Sequence, residues 1–186
     1  MNYNSSLKCL MFELRKSGLL IDFEMEDYYR QLCIDYKSII NEVSDEKIAN
    51  LCLFSITSYR LSNYLLKKDR NHSLISARQV SEYCKLITGV EIHPNANIGR
   101  GVVFHPHGGT VIGETSVIGS YSVIHEGAIL GSKWVGAHHQ KGGRRHPKIG
   151  TGSIIGSYAQ VIGAVDLPPK YKLRPYGRVI EKSKGK

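Results

Sequence analysis

The sequence predicts an α+β protein, a helical first half followed by a short parallel β-helix. Three observations carry this. Of nineteen glycines, only Gly18 lies in residues 1–88, and the other eighteen lie beyond. Aliphatic residues in the second half recur every six positions. In the first half they keep helical spacing instead.

Ser44, Asp45 and Glu46 provide an N-cap and an acidic first turn. Ile48, Leu51, Cys52, Ile56, Tyr59 and Leu65 then hold to one stripe, which predicts a helix. Similar patterns predict helices over residues 6–19 and 24–43. A last helix over 73–87 ends at Gly89, a natural C-cap. The aromatic and leucine positions of this half read as core.

The repeat begins at Ile98-Gly99. It runs through Ile112-Gly113, Ile118-Gly119, Ile124-His125, Leu130-Gly131, Ile149-Gly150 and Ile155-Gly156 to Val161-Ile162-Gly163. An aliphatic residue followed by a small one every six positions marks a parallel β-helix. The aliphatic points into a triangular coil and the small residue permits the corner. Three such units make one coil, and stacked coils bury a continuous core. The divisions are a helical domain (1–88), a β-helix (89–181) and a basic tail (182–186).

The chain has 186 residues, 41% hydrophobic and 22% charged, enough for an ordinary buried core. Lys and Arg number 25 against 16 Asp and Glu, a formal charge of +9 that suits an anionic ligand. Basic residues lack the aromatic interleaving of a nucleic-acid surface, so no nucleic-acid partner is expected. No apolar run reaches 18 residues, and Met1–Asn4 lacks the start of a signal peptide, so no membrane partner and a cytoplasmic location are expected. Cys9, Cys33, Cys52 and Cys84 form no CxxC and read as reduced core thiols.

Two breaks in the period draw attention, because departures from a solenoid carry function. One is Phe104-His105-Pro106-His107-Gly108-Gly109; the other is the basic excursion from Ser132 to Lys148. Six of the eight histidines lie in or beside them: His105, His107, His125, His138, His139 and His146.

The string Val90-Glu91-Ile92-His93-Pro94, then Gly113-Glu114-Thr115, then Arg145-His146-Pro147-Lys148, resembles the serine O-acetyltransferases. The likeness extends from about Ile48, with Ser58-Tyr59-Arg60-Leu61 on a similar helix, to about Ile180. It implies a left-handed β-helix and acetyl transfer from acetyl-CoA to the hydroxyl of L-serine, a step in cysteine biosynthesis. An alcohol needs a general base as it attacks a thioester, and a histidine backed by a carboxylate suits that role. By resemblance Glu91 stands at the position of the family's backing Asp. An ungapped match puts Pro106 on the catalytic His and His105 on an Asp that helps bind the substrate amino group. The base is then His107, or His105, shifted by one residue. The family's Arg-Asp-Pro-Ala string for the same amino group has no counterpart. Arg145 matches the Arg that binds the acceptor carboxylate, and His146 its neighbouring active-site His. Retained carboxylate recognition without the acidic contacts leaves open a different hydroxylated carboxylate or a sugar as acceptor.

The resemblance also implies a coenzyme groove along a coil edge between subunits of a homotrimer, with a hexamer as the larger option. Gly131, Gly156, Ser157, Tyr158 and Gly163 are the corner candidates. Lys148, Lys170, Lys172 and Arg174 are candidates for the phosphates, and Trp134 caps the coenzyme or anchors its loop. The excursion is longer than the family's and suggests a lid. After Ala164 the chain passes to a closing segment, so the resemblance implies one deleted coil. Ser183-Lys184-Gly185-Lys186 replaces the family's docking end, so no complex with cysteine synthase is expected. Two other readings stand: a catalytically inactive scaffold, or a zinc-dependent β-helix enzyme of the carbonic anhydrase type. Three imidazoles, His105, His107 and His125, would serve the latter, but they lack the acidic support such a site is expected to have, and the Arg145-His146-Pro147-Lys148 string would be left unexplained, so no metal is expected.

Overall fold

The computed structural model describes residues 26–68, 74–134 and 143–182. Among the described residues three helices precede the strands: α1 (Glu26–Glu42), α2 (Glu46–Lys68) and α3 (Leu74–Thr88). The helix expected over 6–19 lies outside the described residues. Asp45, not Ser44, caps α2: its Oδ1 accepts the backbone N–H groups of Lys47 at 2.9 Å and Ile48 at 3.0 Å. Gly89, at φ +70°, ends α3 by donating to the Lys85 carbonyl. The chain turns there directly into the first strand.

Among the described residues thirteen short strands follow, from β1 (Val90–Ile92) to β13 (Arg178–Ile180). Between them lie β2 (Asn97–Ile98), β3 (Val103–Phe104), β4 (Thr110–Ile112), β5 (Val117–Ile118), β6 (Val123–Ile124), β7 (Ile129–Gly131), β8 (Lys148–Ile149), β9 (Ile154–Ile155), β10 (Gln160–Ile162), β11 (Asp166–Leu167) and β12 (Lys172–Leu173). The strands form three parallel sheets, each one side of a triangular coil. The first sheet is β1-β4-β7-β10-β13, the second β2-β5-β8-β11 and the third β3-β6-β9-β12. Register follows the six-residue period. Ile98, Ile118, Ile149 and Leu167 stack on one side, and Phe104, Ile124, Ile155 and Leu173 on the next. All eight are buried.

The segment expected to close the solenoid instead completes it. Val161, Leu167 and Leu173 are spaced six apart and buried, so β10 (Gln160–Ile162), β11 (Asp166–Leu167) and β12 (Lys172–Leu173) make a full fourth coil. Pro168 stands where the earlier coils have Gly99, Gly119 and Gly150, and Arg174 where the third coil has Gly156, which hides the repeat in sequence. Val161, not Ile162, points into the core.

One apolar core joins the helices to the coils. Ile39, Val43, Cys52, Ile56 and Tyr59 belong to the same cluster as Val90, Phe104, Ile112 and Leu130. Polar clamps hold the junction. Tyr59 donates its hydroxyl to the Ala96 carbonyl at 2.7 Å and accepts the Ile98 N–H at 3.1 Å. Arg60 pairs with buried Asp35 and donates to the carbonyls of Ile98 and Gly99, while Asp35 accepts the Gly101 N–H. Cys52 and Cys84 are buried, and burial pushes the Cys52 thiol up to about 12. Cys33 is exposed, so it is not the core thiol expected. Among the described residues no helix is long and apolar enough to cross a membrane.

Candidate active site

Both breaks in the repeat fall at the edges of the first sheet. One edge, the exit corner, is where the chain leaves that sheet for the second. The other, the entry corner, is where it arrives from the third.

At the exit corner successive coils bring His93, then Glu114 and Thr115, then Arg145 and His146 into one column. Thr115 organises it. Its hydroxyl oxygen accepts the backbone N–H groups of Arg145 at 2.9 Å and His146 at 3.1 Å. Its own backbone N–H donates to His146 Nδ1 at 3.1 Å, and its Oγ1 lies 2.9 Å from the same nitrogen. A nitrogen that accepts an N–H carries no proton, so His146 is neutral with its proton on Nε2. It is therefore a hydrogen-bond donor there rather than a base. The ring is buried, and it lies where a side chain on Gly113 would stand. The Arg145 guanidinium pairs with Glu114, which leaves most of its five donors for a ligand.

His93 was not singled out in the sequence. Its Nδ1 accepts the Asn95 N–H at 3.1 Å, and its pKa is lowered, chiefly by burial, with Arg78 and Arg145 adding to this against Glu114 and Glu91. Aligning the coils by their six-residue period would have found it, because His93 and Gly113 follow the same inward position.

The entry corner holds the other histidines. His107 is exposed and sits at φ +66°, with its N–H donating to the Thr88 carbonyl at 2.6 Å. Pro106 is buried beside it. His105 turns the other way and stacks on His125 of the next coil, with ring centroids 4.6 Å apart and planes 17° apart. Burial lowers its pKa, as does His125, against Glu126 and Glu42. Burial pushes the Glu126 carboxyl up, but hydrogen bonds from Ser157 and its own backbone, with His125 and His105 nearby, outweigh this and hold it low.

Glu91 does not join either histidine as expected. Its side chain pairs with Lys85 Nζ at 2.7 Å, and among the described residues no hydrogen bond or ion pair links it to His105 or His107. The physical reason is its place: the middle of β1, facing outward between buried Val90 and Ile92, where the last turn of α3 presents a lysine.

The coenzyme candidates divide between the two edges. Gly156, Ser157 and Tyr158 lie at the entry corner, where Tyr158 stacks on Tyr176 with centroids 5.5 Å apart. Gly131 and Gly163 lie at the exit corner, joined by a backbone bond of 2.9 Å. Trp134 follows there and is 63% exposed. Lys148 starts β8 on the second sheet, while Lys170, Lys172 and Arg174 cross the third sheet to the entry corner. One chain does not bring these groups together.

The ends of the excursion are fastened. Lys133 donates to the Glu181 carbonyl, and Arg144 to the carbonyls of Ala164 and Val165 and to Asp166. The suggested lid, with His138 and His139, lies outside the described residues.

No family model matches the chain. The chain is 41% identical over 114 residues to the serine acetyltransferase of Helicobacter pylori, covering 61% of each protein. A solved serine acetyltransferase of Brucella abortus in complex with coenzyme A matches 84% of the chain and 62% of its own length, with a TM-score of 0.72 and 26% identity. The Neisseria gonorrhoeae enzyme in complex with serine matches 92% and 72%, with a TM-score of 0.68 and 25% identity. The chain spans between a third and about three fifths of the curated relatives heading these matches. Over the length that aligns, the chain is similar in sequence and in fold to serine acetyltransferases.

Proposed function

We propose that the protein transfers the acetyl group of acetyl-CoA to the hydroxyl of L-serine. The observation that carries this is the exit corner, where Arg145 and His146 are fixed by Glu114 and Thr115 on a fold shared with coenzyme A- and serine-bound relatives. Arg145 holds the acceptor carboxylate through paired N–H donors. His146 Nε2–H donates to the acceptor or to the oxyanion that forms. His107 is the base, because it is exposed while His105 is turned inward on His125. It takes the hydroxyl proton as the oxygen bonds to the thioester carbonyl carbon. The tetrahedral intermediate collapses, the C–S bond breaks, and the imidazolium returns the proton to the departing thiolate.

His107 and Arg145 sit on opposite edges of the first sheet, separated by roughly 15 Å or more at the rise of an extended strand. The site therefore closes between two copies, the entry corner of one against the exit corner of the next, and a ring of three satisfies every chain. Acetyl-CoA lies in that groove, with Gly156, Ser157 and Tyr158 on one wall and Gly131, Gly163 and Trp134 on the other. Lys148, Lys170, Lys172 and Arg174 serve its phosphates. We also assign a cytoplasmic location, supported by the unpaired thiols of Cys33, Cys52 and Cys84.

The test follows free thiol release from acetyl-CoA with and without L-serine. A serine-dependent rate that falls by about 10²- to 10⁴-fold in His107→Ala, with coenzyme binding kept, is the expected result. Coenzyme binding without a serine-dependent rate favours a second reading, a different hydroxylated carboxylate as acceptor. His105 motivates that reading, since it stands where the resemblance places an amine-binding Asp.

A further inference from the structure

The entry corner carries a group of side chains that the transfer reaction does not use. A nitrogen of His105, a nitrogen of His125 and a carboxylate oxygen of Glu126 all lie within 4.8 Å of one another. A second observation is independent of this: His105 Nε2 is buried and has no hydrogen-bond partner. Buried ring nitrogens are almost always paired, so one without a partner calls for a group that completes it. Two imidazoles and one carboxylate are the donor set of an open-sided transition-metal site. The acidic support for these imidazoles comes from Glu126, the residue after His125, with His107 left outside the set.

We propose that His105, His125 and Glu126 bind one divalent first-row transition ion, zinc being the first choice. Bonds of about 2.0–2.2 Å require the three donors to close by roughly an ångström or more. His125 and Glu126 have room to do so, with side chains 31% and 36% exposed. Three protein ligands leave at least one coordination position for water or another small ligand. The ion ties the first coil to the second two residues before His107, and so fixes the loop that carries it.

The site is independent of the acyl acceptor, so its test needs no turnover. Full-length protein without a polyhistidine tag is stripped with a chelator and titrated with Zn²⁺ against a chromophoric indicator. A parallel titration with Co²⁺ reads its visible ligand-field bands. The expected result is one ion per chain and a rise in melting temperature with ion concentration. His125→Ala and Glu126→Gln, each melting as the stripped wild type does, should weaken binding by more than about a hundredfold, because even supporting partners of a ligand are worth 10- to 100-fold. No saturable binding overturns the proposal. So does binding that both variants retain, which would place the ion elsewhere.

Discussion

Gly113 decides where His146 can stand. A Cβ built on Gly113 overlaps Cδ2 and Nε2 of the His146 ring, so any side chain must push the imidazole away from Thr115. Gly113→Ala should therefore break the bond that fixes His146 as an Nε2–H donor. Misplacement of about 1 Å costs on the order of a hundredfold in rate. The expected result is a fall of that size in kcat/KM for the acceptor, with coenzyme affinity unchanged. Steady-state kinetics with acetyl-CoA saturating would check it, and an unchanged kcat/KM would remove His146 from the site. Individual site residues were legible to this extent: the Gly113-Glu114-Thr115 and Arg145-His146-Pro147-Lys148 strings were visible. Their meeting was not, because the excursion between Leu130 and Ile149 hides that they occupy one corner. The stack of His105 on His125 was hidden similarly, since the extra residues after Phe104 offset the two histidines from a plain eighteen-residue coil.

At the scale of elements, α2 is the piece that seats the helices on the first coil. Its Tyr59 hydroxyl satisfies both the Ala96 carbonyl and the Ile98 N–H, and the ring is only 4% exposed. Tyr59→Phe keeps the ring but leaves the Ile98 N–H without a partner and the Ala96 carbonyl with only a long bond of 3.4 Å from Asn63 Nδ2. Such groups cost about 1–3 kcal/mol each when unsatisfied. For a chain of this size each kcal/mol moves the melting temperature by about 2–4 °C. Tyr59→Phe should thus melt several degrees lower, as circular dichroism would show. An unchanged melting temperature would mean that the helices do not depend on this clamp. The helices and coils themselves were legible because each rests on one repeated requirement, a buried stripe or a buried aliphatic at every sixth position. The fourth coil escaped because the visible signal was the aliphatic-glycine pair, whereas the coil itself needs only the aliphatic. Leu167 and Leu173 meet that need beside Pro168 and Arg174.

For the whole molecule, the opposite placement of His107 and Arg145 has a direct consequence. If each site takes its base from one copy and its carboxylate-binding residue from the next, two different inactive chains can repair each other. His107→Ala supplies an intact exit corner, and Arg145→Ala supplies an intact entry corner. Co-expressed in equal amounts and assembled at random, they place both intact corners together at about a quarter of the interfaces of a closed ring. The mixed rings of three, each with one intact site in three, should then regain about a third of the wild-type rate, while either variant alone stays near background. Differently tagged chains, purified in sequence through both tags, isolate the mixed species for assay. A site contained within one chain would give no recovery in such mixtures, because each chain would still carry one broken corner. Recovery also excludes His105 or His146 of the same chain as a substitute base, since that substitute would have kept the His107→Ala chain active by itself. The +9 charge bears on the same interface. Lys170, Lys172 and Arg174 end at the entry corner, so if the proposed ring places acetyl-CoA there, ring formation should strengthen as acetyl-CoA is added.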